Sequence, residues 1–489
     1  MKLKLALYCF LITCMCSGQN QDITASLYDS YATYKEKSID KRRIKHHQLQ
    51  PLLAKYNANS MFTVKVVGKS IEGRNLSLVS IGSGEIDVFL WSQMHGDEPT
   101  ATQAIFDIFK FFESDDFSEE KAEILSKLKL HFLPMLNPDG AERYQRRNVL
   151  GIDINRDALR LQSPEGQTLK RVRDSLDADF GFNLHDQSTY YNAERTEKPA
   201  TISYLAPAYN YEKEIDEKRG NAMKVIVYMN SIIQKYAPGQ VGRYNDDFEP
   251  RAFGDNIQKW GTSTILIESG GFKNDLEKQE IRKLNYVSIL SAVYTIAMNN
   301  YANIPLADYE KIPKNDRKLF DLKIENAMYE LLGKKYILDL GINRLEVPMA
   351  NSTDFWYSSR ILDQGDLSTY YGYETFDASG YTIRPGKTYP KLFRSLGQLA
   401  NSSTDVISLL KQGFTYIRSE NIPPNDLYSP IPIHVIGKRY EVPELQLEVG
   451  INPTFLLEKN GVVTYAVING FLLNLEEDNG HFKNAMIYR

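Results

Sequence analysis

The chain of 489 residues is predicted to fold as an α/β protein, a mixed, mainly parallel sheet flanked by helices, followed by a β-rich C-terminal region. Three observations carry this. Short apolar runs alternate with helical patterns from Ile86 to Tyr301, as in a sheet covered on both faces. Conspicuous polar residues sit just past the carboxyl ends of four such runs, the edge where open α/β sheets bind ligands. Beyond Ile304 the pattern changes to short β-like runs separated by Gly, Pro and Asn. The length exceeds one ordinary core and divides into a leader at 1–18, an α/β body at 19–304 and a β-rich accessory region at 305–489.

Taken in order, Asp22 to about Lys55 is mainly helical and polar, and Lys41-Arg42-Arg43-Ile44-Lys45-His46-His47 reads as a solvated helix face. Phe62–Val67 and Leu76–Ile81 alternate apolar and polar residues and make a hairpin-like pair of strands. Ile86–Trp91 reads as a buried strand that stops at Ser92-Gln93-Met94-His95-Gly96-Asp97-Glu98-Pro99. Helices follow at Thr100–Phe112 and at about Glu119–Lys127. Leu128–Leu136 is the next strand and ends at Asn137-Pro138-Asp139-Gly140, whose residues all favour a turn. Ser163 is a natural N-cap, with Pro164 at the first position, for a helix to Leu176. Phe180–Leu184 is a short strand ending at His185, and a long helix runs from about Asn210 to Tyr236. Ser263–Ile267 is a strand ending at Glu268-Ser269-Gly270-Gly271, and Asp275–Tyr301 is a long amphipathic helix. In the C-terminal region Phe320–Ile324, Tyr336–Ile342, Ile431–Ile436 and Val462–Ile468 are β-like. Asn460-Gly461 marks a hairpin turn.

Composition narrows the function. A formal charge of −4 with no basic stripe argues against a nucleic-acid partner. Lys2 and Lys4, the apolar run Leu5–Met15 and the small residues around Ser17-Gly18 read as a secretory leader, too short to span a bilayer. Export follows, to the periplasm, the cell surface or the medium. Leu11-Ile12-Thr13-Cys14 loosely resembles a lipoprotein cleavage box, which leaves a lipid anchor open. The three cysteines, Cys9, Cys14 and Cys16, all lie in the leader, so disulfides play no part in the stability of the mature chain. No later apolar stretch is long enough to span a membrane.

His95 and Glu98, three residues apart on a strand-end turn, can reach one point above the sheet, and imidazole with carboxylate suits Zn²⁺. A catalytic zinc needs a third ligand and an open position. Of seven histidines, His46 and His47 fall in the polar N-terminal helix, His131 within a strand, and His434 and His481 in the C-terminal region. His185, at a strand end on the same sheet edge, remains. Glu268, at the end of another strand, is placed to act as a general base. Arg143, Arg146, Arg147 and Arg156, with Asn148 and Asn155, crowd one short irregular segment. That composition suits carboxylate recognition and stabilisation of an oxyanion.

In this order the motifs His95-Gly96-Asp97-Glu98-Pro99, Asn137-Pro138-Asp139-Gly140, Gly151-Ile152-Asp153-Ile154-Asn155-Arg156, His185 and Glu268-Ser269-Gly270-Gly271 resemble the zinc carboxypeptidase family, over roughly residues 45–300. The resemblance implies that His95, Glu98 and His185 bind zinc, that Glu268 is the general base, and that Asn155 and Arg156 hold a terminal carboxylate. It also implies an arginine that polarises the scissile carbonyl. Arg146 is the choice, with Arg147 the neighbouring alternative. For the substrate-capping tyrosine Tyr244 is nearest in sequence, and Asp255 falls near the segment that shapes the side-chain pocket. Asp157 and Asp186-Gln187 depart from the family pattern.

The expectation is an exported zinc metallocarboxypeptidase that hydrolyses the amide next to the free C-terminal carboxylate of a peptide. Two rivals stand beside it: a deacylase or amidase of small N-acyl amino acids or cell-wall peptides, and a catalytically silent binding protein.

Overall fold

The computed structural model describes residues 23–395, 397–398, 405–477 and 482–489; the leader, its cysteines and His481 lie outside them. The first body is built on an eight-stranded mixed sheet. Its strands are β1 (Thr63–Lys69), β2 (Asn75–Ile81), β3 (Ile86–Ser92), β4 (Leu128–Leu133), β5 (Phe180–Asp186), β7 (Ile202–Leu205), β8 (Val241–Arg243) and β9 (Ser263–Ser269), in the order β1-β2-β4-β3-β5-β9-β7-β8. The two-residue β6 (Asn192–Ala193) stands apart. The central strands β4, β3, β5 and β9 are parallel neighbours, while β2 and β7 run antiparallel to β4 and β9.

Strand β3 shows why both faces must be covered. Val88 and Leu90 enter one core and Phe89 and Trp91 the other, all fully buried, so the run reads as continuously apolar. The larger core is closed by α1 (Ile23–Tyr34), α2 (His46–Asn57), α3 (Thr100–Glu113), α7 (Glu217–Tyr236) and α9 (Gln279–Met298). The smaller lies under α6 (Pro164–Leu176) and α8 (Phe253–Lys259). The chain leaves β3 for β4 on one side and later returns as β5 on the other, so the crevice between β3 and β5 is a topological switch point. Helix α7 begins at Glu217 rather than near Asn210, because Asp216 caps it through the N–H of Arg219.

The charged run at residues 41–47 departs from expectation. It is not a solvated helix face: Arg42, Arg43 and Lys45 are 8%, 3% and 4% exposed, in the connection between α1 and α2. Lys45 Nζ donates to the carbonyl of Ala141 at 3.1 Å. Arg43 donates to Glu346 at 2.7 Å and lies 3.9 Å from the Tyr144 ring centroid, and Arg42 pairs with the same glutamate. The partners that bury these cations stand far away in sequence, so no local pattern announces them. The Asn137–Gly140 turn is likewise the start of a short helix, α5 (Pro138–Arg143), with Asn137 Oδ1 accepting from the N–H of Gly140 at 2.9 Å.

The C-terminal region is strand-rich. One sheet centres on the hairpin β11 (Leu319–Leu331) and β12 (Lys334–Pro348) and continues through β15 (Thr382–Arg384), β20 (Phe455–Lys459), β21 (Val462–Ile468) and β22 (Phe471–Asn474). The Asn460-Gly461 turn joins β20 to β21 as anticipated. A second sheet contains β17 (Phe414–Asn421), β19 (His434–Gly437) and β23 (Ala485–Tyr488). Tyr309 and Ile312 still pack into the larger core of the first body. Among the described residues no helix is long and apolar enough to cross a membrane.

Candidate active site

The exit of β3 is zipped to that of β4: the N–H groups of Leu136 and Asn137 donate to the carbonyls of Ser92 and Gln93 at 3.0 Å. This presses the His95–Glu98 turn against α5. A Cβ on Gly96 would lie 2.1 Å from the carbonyl carbon of Gly140, so only glycine permits the approach. The turn closes with Glu98 N–H donating to the carbonyl of His95, and α3 starts two residues later.

His95 Nδ1 lies 2.8 Å from one Glu98 oxygen and His185 Nδ1 lies 2.7 Å from the other. The three side chains are buried, and their facing atoms lie within 4.8 Å of one another. Among the described residues this is the one His/Cys/Asp/Glu cluster able to hold a metal ion. Two imidazole nitrogens and a carboxylate facing a common point are the donor set of a catalytic zinc, which keeps a position open for water. The residues therefore fit zinc. Burial opposes charge on His95, but Glu98 and Asp153 outweigh it and push its pKa up to about 9. Glu98 is held below the usual carboxylate range, its burial overcome by the two imidazoles. Burial depresses His185.

His185 and Glu268 are register partners across β5 and β9, which sets them side by side on one face of the sheet. Glu268 is 8% exposed, and its Oε2 is buried with no hydrogen-bond partner. Burial, then the Glu98 charge, raises its pKa well above the ordinary carboxylate value. Such a carboxyl holds a proton more readily than an exposed one. Arg146 reaches the same centre, 3.1 Å from His95 Nδ1 and 3.2 Å from Glu98, and its Nε donates to Asp153 at 3.1 Å. The alternative Arg147 turns away and donates to the carbonyl of Gly151. Tyr244 is half-buried near Glu268: burial first, then that carboxylate, raises its phenol pKa. Arg156 lies 3.5 Å from Glu249, and Asn155 Oδ1 accepts from the N–H of Phe253 at 3.0 Å. Asp255, at the start of α8, is pushed up to about 7 by its burial.

Residues 50–231 match the model of the zinc carboxypeptidase family. This segment is a zinc carboxypeptidase domain. The matched span holds His95, Glu98, Arg146, Asn155, Arg156 and His185, and Tyr244 and Glu268 lie beyond it. An uncharacterized protein of Zymomonas mobilis is 26% identical over 146 residues, 29% of this chain and 37% of the relative. Carboxypeptidase SOL1 of Arabidopsis thaliana is 32% identical over 99 residues, 19% of this chain and 20% of the relative. The chain thus spans well under half the length of either. Among solved structures, a metallo-carboxypeptidase from Burkholderia cenocepacia is 15% identical, covers 52% of this chain and 69% of its own, and has a TM-score of 0.43.

Three residues of the carboxypeptidase domain gain roles that sequence reasoning did not assign. Asp153 Oδ1 lies 3.0 Å from His95 Nε2, which turns Nδ1 toward the centre, as carboxylates behind metal-binding histidines do. Its signal was its place two residues before Asn155, inside a motif already noted. Asp157 faces away from the centre and accepts from the N–H groups of Gln162 and Ser163 at 2.7 Å, anchoring the entry to α6. Asp186 is pinned by Lys278 at 2.9 Å. These two departures from the family pattern are structural supports.

Proposed function

We propose that the protein is an exported zinc carboxypeptidase that removes C-terminal residues from peptides. The observation that carries this reading is the convergence of His95, Glu98 and His185 on one point, with Glu268 paired to His185 in register and Arg146 reaching over the cluster. His95, Glu98 and His185 would hold the metal. Bound there, zinc supplies Lewis acidity and lowers the pKa of a coordinated water to about 7. Glu268 accepts the water's proton on its free Oε2 and hands it to the leaving amine, a transfer its raised pKa favours. Arg146 offers its guanidinium to the oxygen that becomes anionic. Asp153 holds both His95 and Arg146 in place. Arg156 exchanges Glu249 for the substrate's carboxylate, Asn155 supplies a further donor, and Tyr244 closes over the bound end. The leader motif supports export.

The test compares matched peptides ending in a free acid or an amide. Hydrogen bonds to charged groups are worth about 1.5–3 kcal/mol, so amidation lowers kcat/KM by roughly tenfold or more. Arg156→Ala abolishes the preference and Arg156→Lys recovers part of it, since Lys lacks the planar fork. Equal rates on acid and amide by the wild-type protein would reject the reading in favour of an endopeptidase or amidase.

A further inference from the structure

The loop after the third ligand, residues 187–193, is held between the sheet of the first body and the C-terminal region. Gln187 N–H donates to the carbonyl of Ser269 at 3.0 Å, and its side-chain carbonyl accepts from Asn315 Nδ2 at 2.7 Å. The Nε2 of Gln187 donates to Ser203 Oγ at 2.8 Å, and that hydroxyl in turn donates to Asn315 Oδ1 at 2.8 Å. Asn315 sits over Gly242, where a Cβ would lie 2.0 Å from its Oδ1. Asn315–Asp316 forms a strand, β10, paired with Asn192–Ala193 of β6. The hydroxyl of Tyr373 donates to the carbonyl of Thr189, and Tyr190 OH donates to Asp321 Oδ2 at 2.7 Å. Asp321 belongs to β11 and also accepts from the N–H of Arg344 on β12.

Tyr191, in the middle of this clasped loop, faces the other way. Its ring meets that of Tyr244 edge-on, with centroids 5.9 Å apart. Burial first, then the Glu268 carboxylate and the Tyr191 phenol, raises the pKa of the Tyr244 phenol. The Tyr244 N–H is tied to the carbonyl of Tyr204 at 3.0 Å, which leaves the ring to be aimed by its contacts.

We infer that the C-terminal region helps to set the geometry of the cleft: through Asn315, Asp321 and Tyr373 it fixes loop 187–193, and Tyr191 on that loop positions Tyr244 beside Glu268. Tyr190 and Tyr191 are positioning residues that act through Tyr244. The inference rests on the proposed reading in one respect, that Tyr244 closes over bound substrate.

The experiment uses the full chain with Tyr191→Phe, Tyr190→Phe and Tyr244→Phe, singly and as the two pairs that include Tyr244→Phe. Each single variant at 190 or 191 keeps its zinc and raises KM by about three- to tenfold, the range one neutral hydrogen bond spans, with a smaller change in kcat. The effect disappears when Tyr244 is already Phe, because positioning then has no object. Hydrogen exchange across residues 244–252 rises in both single variants, a readout that needs no turnover. An equal KM change in both backgrounds, or unchanged exchange at 244–252, overturns the inference. A wild-type protein that cleaves no C-terminal peptide would instead overturn the proposed function, and the exchange measurement would still decide the positioning.

Discussion

Glu268→Gln lowers kcat by about 10²–10⁴-fold while bound zinc stays at the wild-type level. The substitution preserves the size of the side chain and removes only its capacity to take and return a proton. Because Glu268 Oε2 has no hydrogen-bond partner, the amide disturbs no existing contact of that oxygen. His95, Glu98 and His185 are the residues that would hold the metal, so zinc content is set away from Glu268. Steady-state turnover and metal analysis on the same preparation separate the two quantities. Near-normal turnover would make Glu268 a buried strand residue without a catalytic task, and would revive the reading of a protein that binds without turnover.

Asp107→Ala destabilises the fold by about 3–5 kcal/mol, because it leaves Arg282 as an uncompensated buried charge. Both side chains are fully buried, Asp107 on α3 and Arg282 on α9. Arg282 Nε donates to Asp107 at 2.7 Å, and the same carboxylate accepts from Tyr31 OH at 2.9 Å and the Glu36 N–H at 2.7 Å. The guanidinium also donates to the carbonyls of Ile39 and Glu36 at 2.8 and 2.9 Å. The pair thus clasps the N-terminal segment onto the helical face of the sheet. Removing both charges in Asp107→Leu/Arg282→Met costs less than the single change, since a buried ion pair contributes little against an apolar pair of similar size. Urea unfolding of the single and double variants gives the comparison. A single variant within about 1 kcal/mol of wild type would show that water or a rearranged partner satisfies Arg282.

Much of this centre was legible in the sequence because it is assembled from strand ends. A buried parallel strand announces itself as an apolar run, and the polar residues at or just past its carboxyl end mark the ligand-binding edge, as at His95, His185 and Glu268. The choice of Arg146 over Arg147 was not legible, because adjacent residues on an irregular loop have no period to say which side chain turns inward. Arg42 and Arg43 were misread for a related reason. Their burial depends on Glu346 and Phe355, roughly three hundred residues downstream, and charge runs carry no mark of such a partner. The clasp between Tyr190 and Asp321 was invisible on the same grounds. Asp157 and Asp186 looked like departures in the site and proved to be fixed by backbone N–H groups and a lysine, contacts that a motif comparison does not describe.

The most direct measurement of the central claim is the zinc content of the purified chain, wild type and His185→Ala, by elemental analysis. The account predicts about one zinc per chain in the wild type and loss of most of it in the variant, since two remaining ligands do not hold a catalytic zinc. A wild-type chain without zinc after equilibration with the metal, or a His185→Ala variant with full occupancy, would contradict it.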